Sequence, residues 1–256
     1  ILHRLVGSEM CIRDRCFQAR GRRLKLIDSF NVIIPSAGNS SRFESDIPKQ
    51  FQQLNGKLLI NHSIDKFLGF KECKNIVIPI SGEKSYEEQI LFEDRVTLVT
   101  GGSSRAESVK LGFDYLFSID SRINILIHDA ARPCFQVEDL IKFLKKFSSS
   151  NTVGSIFASP CTDTIKSSQS GKTIDATVER THLWQAQTPQ IFEYEALESI
   201  YKNFTGDLSL ITDESSMFEE SEYLISLFQS SNLNIKVTVK EDMQLAQSII
   251  KNIIKT

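Results

Sequence analysis

Short apolar runs rich in β-branched residues alternate with longer amphipathic stretches from Phe30 to about residue 157. Five of the runs have the length of strands, at residues 31–35, 75–80, 96–100, 123–128 and 152–157. Stretches between them, at 58–70 and 105–117, repeat apolar residues at the spacing of a helix. Alternating strands and helices are typical of a mostly parallel sheet covered by helices on both faces, so we predict an α/β fold.

The alternation stops between residues 159 and 182, where the chain is polar, rich in Thr and Lys, and interrupted by Ser170 and Gly171. This composition predicts a hairpin-like excursion from the domain. We expect regular structure to resume with a helix at 192–201, an acidic helix from Thr212, a strand at 234–238 and a closing helix at 241–253. With 256 residues, 41% of them hydrophobic, the chain suffices for one α/β domain, and no internal repeat is evident.

The first 25 residues contain seven Lys or Arg and two acidic residues, a net charge of +5 in a chain whose total is −2. This leader is neither Ser-rich nor clearly amphipathic, so we interpret residues 1–27 as a non-native or disordered tail and 28–256 as the domain. The total charge gives no sign of nucleic-acid binding, and no apolar run approaches the roughly 18 residues of a membrane span. An odd number of cysteines, five, argues against a disulfide framework. We therefore expect a cytoplasmic protein.

The first predicted strand ends in small residues and is followed by two cations. Ser36, Ala37, Gly38 and Asn39 precede Arg42 and Lys49. Small residues let a ligand approach the backbone closely, and the cations supply charge for phosphate oxygens. The spacing matches neither a P-loop nor a dinucleotide fingerprint, which disfavours an NAD-dependent oxidoreductase. We predict a triphosphate site, the alternative being a surface turn with unrelated cations.

Two other predicted strands also end in polar groups. Thr100 is followed by two glycines and then by Ser103 and Ser104. These glycines and hydroxyl groups suit a base and a sugar. One of the serines together with Glu107 also has the pattern of a helix capping box. The strand at 123–128 is followed by Asp129. A carboxylate at the end of a central strand suits Mg²⁺ that carries triphosphate oxygens; the alternative is a helix cap.

Seven motifs follow one another along the chain: Pro-Ser-Ala-Gly with Arg42 and Pro-Lys-Gln-Phe, Gly-Gly-Ser-Ser-Arg-Ala-Glu-Ser, His-Asp-Ala-Ala-Arg-Pro, Asp-Thr-Ile-Lys, Trp-Gln-Ala-Gln-Thr-Pro-Gln, Thr-Asp-Glu and Asn-Ile-Lys-Val-Thr. Over about residues 30–250 this set resembles the 2-C-methyl-D-erythritol 4-phosphate cytidylyltransferase (IspD) family. The resemblance implies a Rossmann-like nucleotidyltransferase fold with a protruding β-arm, at about 159–183, that reaches across a homodimer. It also implies transfer of CMP from CTP to a polyol phosphate, with Mg²⁺ as cofactor and release of pyrophosphate, in the non-mevalonate isoprenoid pathway.

The resemblance also implies residue roles. Arg42 and Lys49 are the expected catalytic cations. The expected nucleotide-binding residues are Ser36, Ala37, Gly38, Asn39, Gly102, Ser103, Arg105 and Ser108. The expected acceptor-binding residues are Asp129, Arg132, Thr164, Arg180, Thr188, Thr212 and Lys236, with Asp129 also binding the metal. Ser103 stands where the family commonly has an acidic residue, and Ser36 where it usually has Ala.

Alternatives remain at this point. A ribitol-5-phosphate cytidylyltransferase shares the Pro-Lys-Gln-Phe element, although the Asp-Ala-Ala-Arg-Pro form favours the methylerythritol family. A nucleotide-binding regulator without turnover is the alternative from another functional class. On the hairpin, the alternative to a binding role is that Lys166, Lys172 and Arg180 are only solvated charges. We interpret His128 and Cys134 as structural and the acidic run at 214–222 as a helix face, with Asp213 orienting nearby groups.

Overall fold

The computed structural model describes residues 29–38, 43, 45–82, 86, 88–91 and 93–253. The predicted leader, and Asn39 and Arg42 of the predicted triphosphate loop, lie outside these residues. The eleven strands of the described part are β1 (Phe30–Ile33), β2 (Gln53–Leu54), β3 (Lys57–Leu58), β4 (Cys73–Ile80), β5 (Val96–Thr100), β6 (Asn124–Ile127), β7 (Gly154–Pro160), β8 (Ile165–Ser167), β9 (Ala176–Val178), β10 (Trp184–Phe192) and β11 (Ile225–Gln229). Its α-helices are α1 (Leu59–Leu68), α2 (Arg105–Ser118), α3 (Val137–Ser149), α4 (Tyr194–Asn203) and α5 (Lys240–Ile253).

Seven strands form the central sheet, in the order β11-β7-β10-β6-β1-β4-β5. The pairs β1–β4, β1–β6, β4–β5 and β7–β11 are parallel, whereas β10 runs antiparallel to both β6 and β7. The prediction of a mostly parallel sheet is confirmed. The carboxyl ends of β1, β5 and β6 consequently lie at one edge of the sheet, where the polar loops predicted from sequence follow them.

The central strands of the sheet are buried on both faces, and neighbouring residues in them point to opposite sides. Val32 packs with α1 and α3, while Ile33, the next residue, packs with α2 and α4. The same alternation occurs in β6, where Leu126 lies on the first face and Ile127 on the second. Burial on both faces explains the nearly continuous apolar runs in the sequence.

Two predictions of regular structure need correction, and two strands were not predicted. Residues 234–238 do not form a strand; Val237 instead donates its N–H to the carbonyl of Ala131, at 2.8 Å, and so ties this segment to the loop after β6. The acidic helix expected from Thr212 is a 3₁₀ helix of five residues, Glu214–Phe218. Strands β10 and β11 were not predicted, since β10 is rich in Gln and contains Pro189, which is uncommon inside a central strand.

The polar excursion contains a hairpin, as predicted. Strands β8 and β9 pair antiparallel, with Ile165 opposite Val178, in a small sheet separate from the central one. Every side chain between Cys161 and Leu183 is at least partly exposed. A role for this hairpin as an arm between subunits stays a prediction.

A search of the described helices found none that is both long enough and apolar enough to pass through a bilayer.

Candidate active site

A cavity of about 310 Å³ opens at the edge of the sheet where β1, β5 and β6 end. Its size is within the range of small-ligand sites. Ten of the residues predicted from sequence line it: Ser36, Ala37, Gly38, Lys49, Gly102, Ser103, Arg105, Ser108, Asp129 and Lys236. The structure thus brings together residues that are up to 200 positions apart, as the ends of parallel strands require.

The small-residue loop after β1 is held from two sides. The N–H of Ser36 donates to the carbonyl of Pro79 at 2.8 Å. The buried amide of Gln50 donates to the carbonyls of Ser36, at 2.7 Å, and of Gly38, at 3.2 Å. Gln50 directly follows Lys49 in the Pro-Lys-Gln-Phe motif, but no role was predicted for it. Its side chain fixes the backbone that faces the cavity.

The loop after β5 packs directly against the loop after β1. A Cβ atom at Gly101 would lie 2.4 Å from the Cβ of Ala37, so this close approach requires glycine. Helix α2 then starts with the predicted capping box, in which Ser104 accepts from the N–H of Glu107 and Glu107 accepts from the N–H of Ser104. Such a cap contributes about 1 kcal/mol and fixes the direction in which Arg105 leaves the helix.

Ser103 is turned toward Glu107. Its hydroxyl donates to a carboxylate oxygen of Glu107 at 2.6 Å, and its N–H donates to the same oxygen at 2.7 Å. Because the hydroxyl proton is used in this way, the lone pairs of the Ser103 oxygen remain available to accept a hydrogen bond. The serine at this position is therefore an acceptor supported by a neighbouring carboxylate.

Asp129 lies among three cations at the end of β6. Its Oδ1 accepts from Nε of Arg105 at 2.9 Å, and its Oδ2 lies 2.7 Å from Nζ of Lys236 and 3.7 Å from Nε of Arg132. Burial alone would raise the pKa of this carboxyl, but the three cations hold the pKa well below its usual range. Asp129 is therefore a fixed negative charge.

Arg105 is also bound by a second carboxylate, that of Glu214. Its Nη1 donates to both oxygens of Glu214, at 2.8 and 2.9 Å, and the Glu214 side chain is 0% exposed. The prediction that the run at 214–222 is a helix face is wrong for Glu214, which is a buried ion-pair partner at the start of a 3₁₀ helix. The one signal for it in the sequence is the Thr-Asp-Glu motif, which ends at Glu214.

His128 has the structural role predicted for it. Because the carbonyl of Arg132 only accepts, Nε2 of His128 carries the proton that is shared with it at 3.0 Å. Nδ1 then accepts from the hydroxyl of Thr188 at 3.1 Å, and the Thr188 oxygen accepts from the N–H of Asp129 at 3.0 Å. Burial lowers the pKa of His128 to about 3, so the ring is neutral and this chain of hydrogen bonds fixes the backbone of Asp129.

A second cavity, of about 170 Å³, adjoins the first. Arg105, Asp129 and Lys236 line both cavities. The second one is also lined by three residues predicted to bind the acceptor: Arg132, Thr188 and Thr212. Asp213 is close by and accepts from the amide of Gln190 at 2.8 Å, in keeping with its predicted orienting role. Two cavities thus meet at one group of charged side chains.

Thr164 and Arg180 line neither of these cavities. Both side chains are exposed on the excursion that carries the hairpin, where Arg180 donates to the carbonyl of Thr162. Within one chain the structure does not bring them to the site. Asn39 and Arg42 lie outside the described residues.

The side chains present fit a divalent ion that is shared with a substrate. The described residues contain no group of three or more His, Cys, Asp or Glu side chains arranged to hold a metal. Asp129 offers one carboxylate at the cavity, and each of its oxygens has more than one lone pair. Mg²⁺ in phosphate chemistry is commonly held by one or two carboxylates together with the substrate's phosphate oxygens.

The loop after Asp129 is held by a buried lysine in α1. Lys66 donates to the carbonyls of Pro133 and Phe135, both at 2.7 Å, and burial lowers the pKa of Lys66 to about 8. An unfolded lysine has a pKa of about 10.4, so between these values the unfolded chain binds a proton that the folded chain releases. The contribution of Lys66 to the free energy of unfolding should therefore increase by up to roughly 3 kcal/mol as the pH rises from about 8 to 10.5.

Urea unfolding of the wild type and of Lys66→Met at pH 7.5, 9 and 10.5 checks this prediction. The free energy of unfolding of the wild type should increase relative to that of the variant as the pH rises. Lys142→Met, which removes a lysine whose side chain is 70% exposed, is the matched control. A constant difference between the wild type and Lys66→Met over this range would contradict the prediction.

Comparison with known proteins places this geometry in a family. The family model of 2-C-methyl-D-erythritol 4-phosphate cytidylyltransferase (IspD) matches residues 30–252. The enzyme of that name from Haemophilus ducreyi is 40% identical over 218 residues, which are 84% of this chain and 93% of the relative. The one from Aliivibrio fischeri strain MJ11 is 37% identical over 229 residues, 89% of this chain and 96% of the relative.

A solved structure agrees. The crystal structure of the Francisella tularensis enzyme of the same name superposes with a TM-score of 0.74 at 30% identity, covering 87% of this chain and all of that one. Family model, relatives and structure all extend over most of the chain. The chain therefore belongs to the 2-C-methyl-D-erythritol 4-phosphate cytidylyltransferase (IspD) family.

Proposed function

We propose that this protein is the nucleotidyltransferase that joins CMP from CTP to 2-C-methyl-D-erythritol 4-phosphate. The products are 4-CDP-2-C-methyl-D-erythritol and pyrophosphate, in the non-mevalonate isoprenoid pathway. The observation that carries this proposal is the pair of adjoining cavities that share Arg105, Asp129 and Lys236. A reaction between two anionic substrates needs two such spaces that meet at cationic groups.

The larger cavity suits the nucleotide. The backbone of residues 36–39 would wrap the triphosphate, with Arg42 and Lys49 neutralising the charge that develops on the leaving pyrophosphate. The loop from Gly102 to Ser108 would receive the cytosine and the ribose. The hydroxyl of Ser103, which donates to Glu107, presents an acceptor to a ribose hydroxyl as a carboxylate would.

The chemistry requires no enzymic nucleophile. A phosphate monoester has a second pKa of about 6, so at pH 7 the acceptor is largely a dianion that attacks the α-phosphorus without a general base. The residues described around the two cavities accordingly include neither His nor Cys. The task of the protein is to bring one anion to another, which fixed cations achieve in a preorganised site.

The smaller cavity suits the acceptor. Arg132 and Lys236 would bind its phosphate, and Thr212 offers a hydroxyl group at the same cavity wall. Thr188 donates its proton to His128, so its oxygen can only accept a further hydrogen bond. Mg²⁺ would be held by Asp129 together with triphosphate oxygens, where it offsets negative charge during phosphoryl transfer.

We also propose that the protein is a homodimer in which each hairpin completes the neighbouring site. The proposal is supported by the exposure of Thr164 and Arg180, which line neither cavity of their own chain. We infer that the enzyme works in the cytoplasm. The cysteines described, Cys73, Cys134 and Cys161, are free thiols, which suits a reducing compartment.

Arg180→Ala should raise KM for the acceptor by about tenfold or more and change KM for CTP little, because a charge-assisted hydrogen bond to phosphate is worth roughly 1.5–3 kcal/mol. Steady-state kinetics with each substrate varied in turn measures both constants. Lys172→Ala, at the exposed turn of the same hairpin, is the matched control. Equal effects on both substrates would contradict the acceptor role.

Co-expression of Arg180→Ala and Lys49→Ala chains tests whether the contact crosses the dimer. In a mixed dimer, one site then has an intact Lys49 and an intact Arg180 from the other chain. Random pairing should restore about a quarter of the wild-type turnover at low acceptor concentration. No recovery would place the action of Arg180 within its own chain.

A panel of acceptors tests the substrate assignment. The full chain is assayed for pyrophosphate release with CTP and Mg²⁺, with methylerythritol phosphate or ribitol 5-phosphate as the acceptor. We expect methylerythritol phosphate to give a kcat/KM at least about a hundredfold higher, since the site must pair specific hydroxyl groups. A preference for ribitol 5-phosphate would identify the related cytidylyltransferase, and no turnover with either would indicate a nucleotide-binding protein.

A further inference from the structure

Glu214 is a buried acidic residue to which the reaction described above assigns no role. Its side chain is 0% exposed, and it begins the short helix Glu214–Phe218, which Asp213 caps by accepting from the N–H of Ser216. A carboxylate removed from water costs several kcal/mol unless it is paired. Its position is therefore explained by its partner.

That partner is Arg105, which bridges two carboxylates. Nη1 of Arg105 donates to both Glu214 oxygens, at 2.8 and 2.9 Å, while its Nε donates to Oδ1 of Asp129 at 2.9 Å. Nη2 of the same guanidinium is buried and has no hydrogen-bond partner. The plane of the guanidinium is consequently set by Glu214 on one side and Asp129 on the other.

The pair also connects the two cavities. Arg105 is the first residue of α2 and directly follows the loop that lines the larger cavity. Glu214 lies two residues after Thr212, which lines the smaller one. A single ion pair thus ties the nucleotide loop to the segment on the acceptor side.

The pair has an electrostatic effect as well. Without Glu214 the charged group would consist of Arg105, Arg132 and Lys236 around the one carboxylate of Asp129. With Glu214, most of the charge of Arg105 is balanced, and Arg132 and Lys236 supply the excess positive charge. Arg132 and Lys236, which are proposed to bind the acceptor's phosphate, are then the cations whose charge is not balanced within the site.

We propose that Glu214 is a positioning residue for nucleotidyl transfer: it holds Arg105 at the junction of the two cavities, so that Asp129 and Thr212 keep their productive places. Glu214 is not among the residues that line either cavity, so it acts only through Arg105 and the backbone. This proposal rests on the proposed function of the same site.

Single-turnover kinetics with enzyme in excess over CTP tests the role of Glu214. The rate constant of pyrophosphate release at saturating enzyme reports positioning, and circular dichroism of each variant reports whether it is folded. Glu214→Gln keeps the shape and removes the charge; its rate constant should fall about tenfold or more, since small misplacements at a reacting centre cost that much. Glu214→Asp keeps the charge, and its rate constant should fall by an intermediate amount, about threefold. Glu220→Gln, an exposed position in the same acidic run, should match the wild type.

A wild-type rate constant in Glu214→Gln would overturn the proposal. If Glu214→Gln does not fold, Glu214→Asp decides: a lowered rate constant in a folded variant supports the role, and a wild-type value overturns it. Failure of both variants to fold would assign Glu214 to stability alone and overturn it too. Absence of turnover in the wild type would instead contradict the proposed function, which separates the two claims.

Discussion

Asp129→Asn is expected to lower the free energy of unfolding by about 3–5 kcal/mol and turnover by at least about a hundredfold. The carboxylate lies among Arg105, Arg132 and Lys236, and its side chain is only 10% exposed. Removing its charge leaves three cations close together with one remaining carboxylate, Glu214. Urea unfolding at pH 7 and steady-state pyrophosphate release measure the two effects.

Asp114→Asn is the matched control for this variant. Asp114 pairs with Lys110 one helical turn away, and its side chain is 49% exposed. Such surface pairs contribute at most about 0.5 kcal/mol, so stability and turnover should both stay close to wild type. If Asp129→Asn lowers the free energy of unfolding no more than the control does, the description of Asp129 as a carboxylate stabilised by three cations is contradicted.

Lys49→Ala is expected to lower kcat by about 10² to 10³, the effect of removing one preorganised electrostatic donor. Lys49 lines the larger cavity beside the small-residue loop, and its neighbour Gln50 fixes the backbone of that loop. The variant should retain its fold because the position lies in a three-residue 3₁₀ turn rather than in the core. Pyrophosphate release at saturating substrates measures kcat.

Lys142→Ala serves as the control for Lys49→Ala. This lysine lies on α3, and its side chain is 70% exposed. Its removal should leave kcat unchanged. Near-normal turnover in Lys49→Ala would contradict the catalytic role predicted for Lys49.

The sequence predicted the strands whose apolar residues pack against helices on both faces of the sheet. Strand β5 has the bounds that were predicted, residues 96–100, and β1 and β6 are each within two residues of prediction. Their apolar side chains alternate between two helical layers, which produces a strong one-dimensional signal. Strand β10 gives no such signal, since its Gln residues and Pro189 resemble a loop.

The site could be predicted to a similar extent. Loops after parallel strands meet at one edge, so the small residues after β1, the glycines after β5 and Asp129 after β6 could be placed together from sequence. Glu214 could not be placed, because its partner Arg105 is 109 residues away and the acidic run that it begins continues with the exposed Glu219, Glu220 and Glu222. The segment at 234–238 has strand-like composition, but it hydrogen-bonds to the loop after β6 and there places Lys236 against Asp129.

Phosphorus NMR of a reaction with wild-type protein, CTP, Mg²⁺ and methylerythritol phosphate tests nucleotidyl transfer most directly. For each CTP consumed, one pyrophosphate and one diphosphate diester should appear. The diester should show two mutually coupled phosphorus signals, one of them from the acceptor's phosphate, and nothing should form without acceptor. Formation of CMP and pyrophosphate with the acceptor's phosphate unchanged would contradict the account.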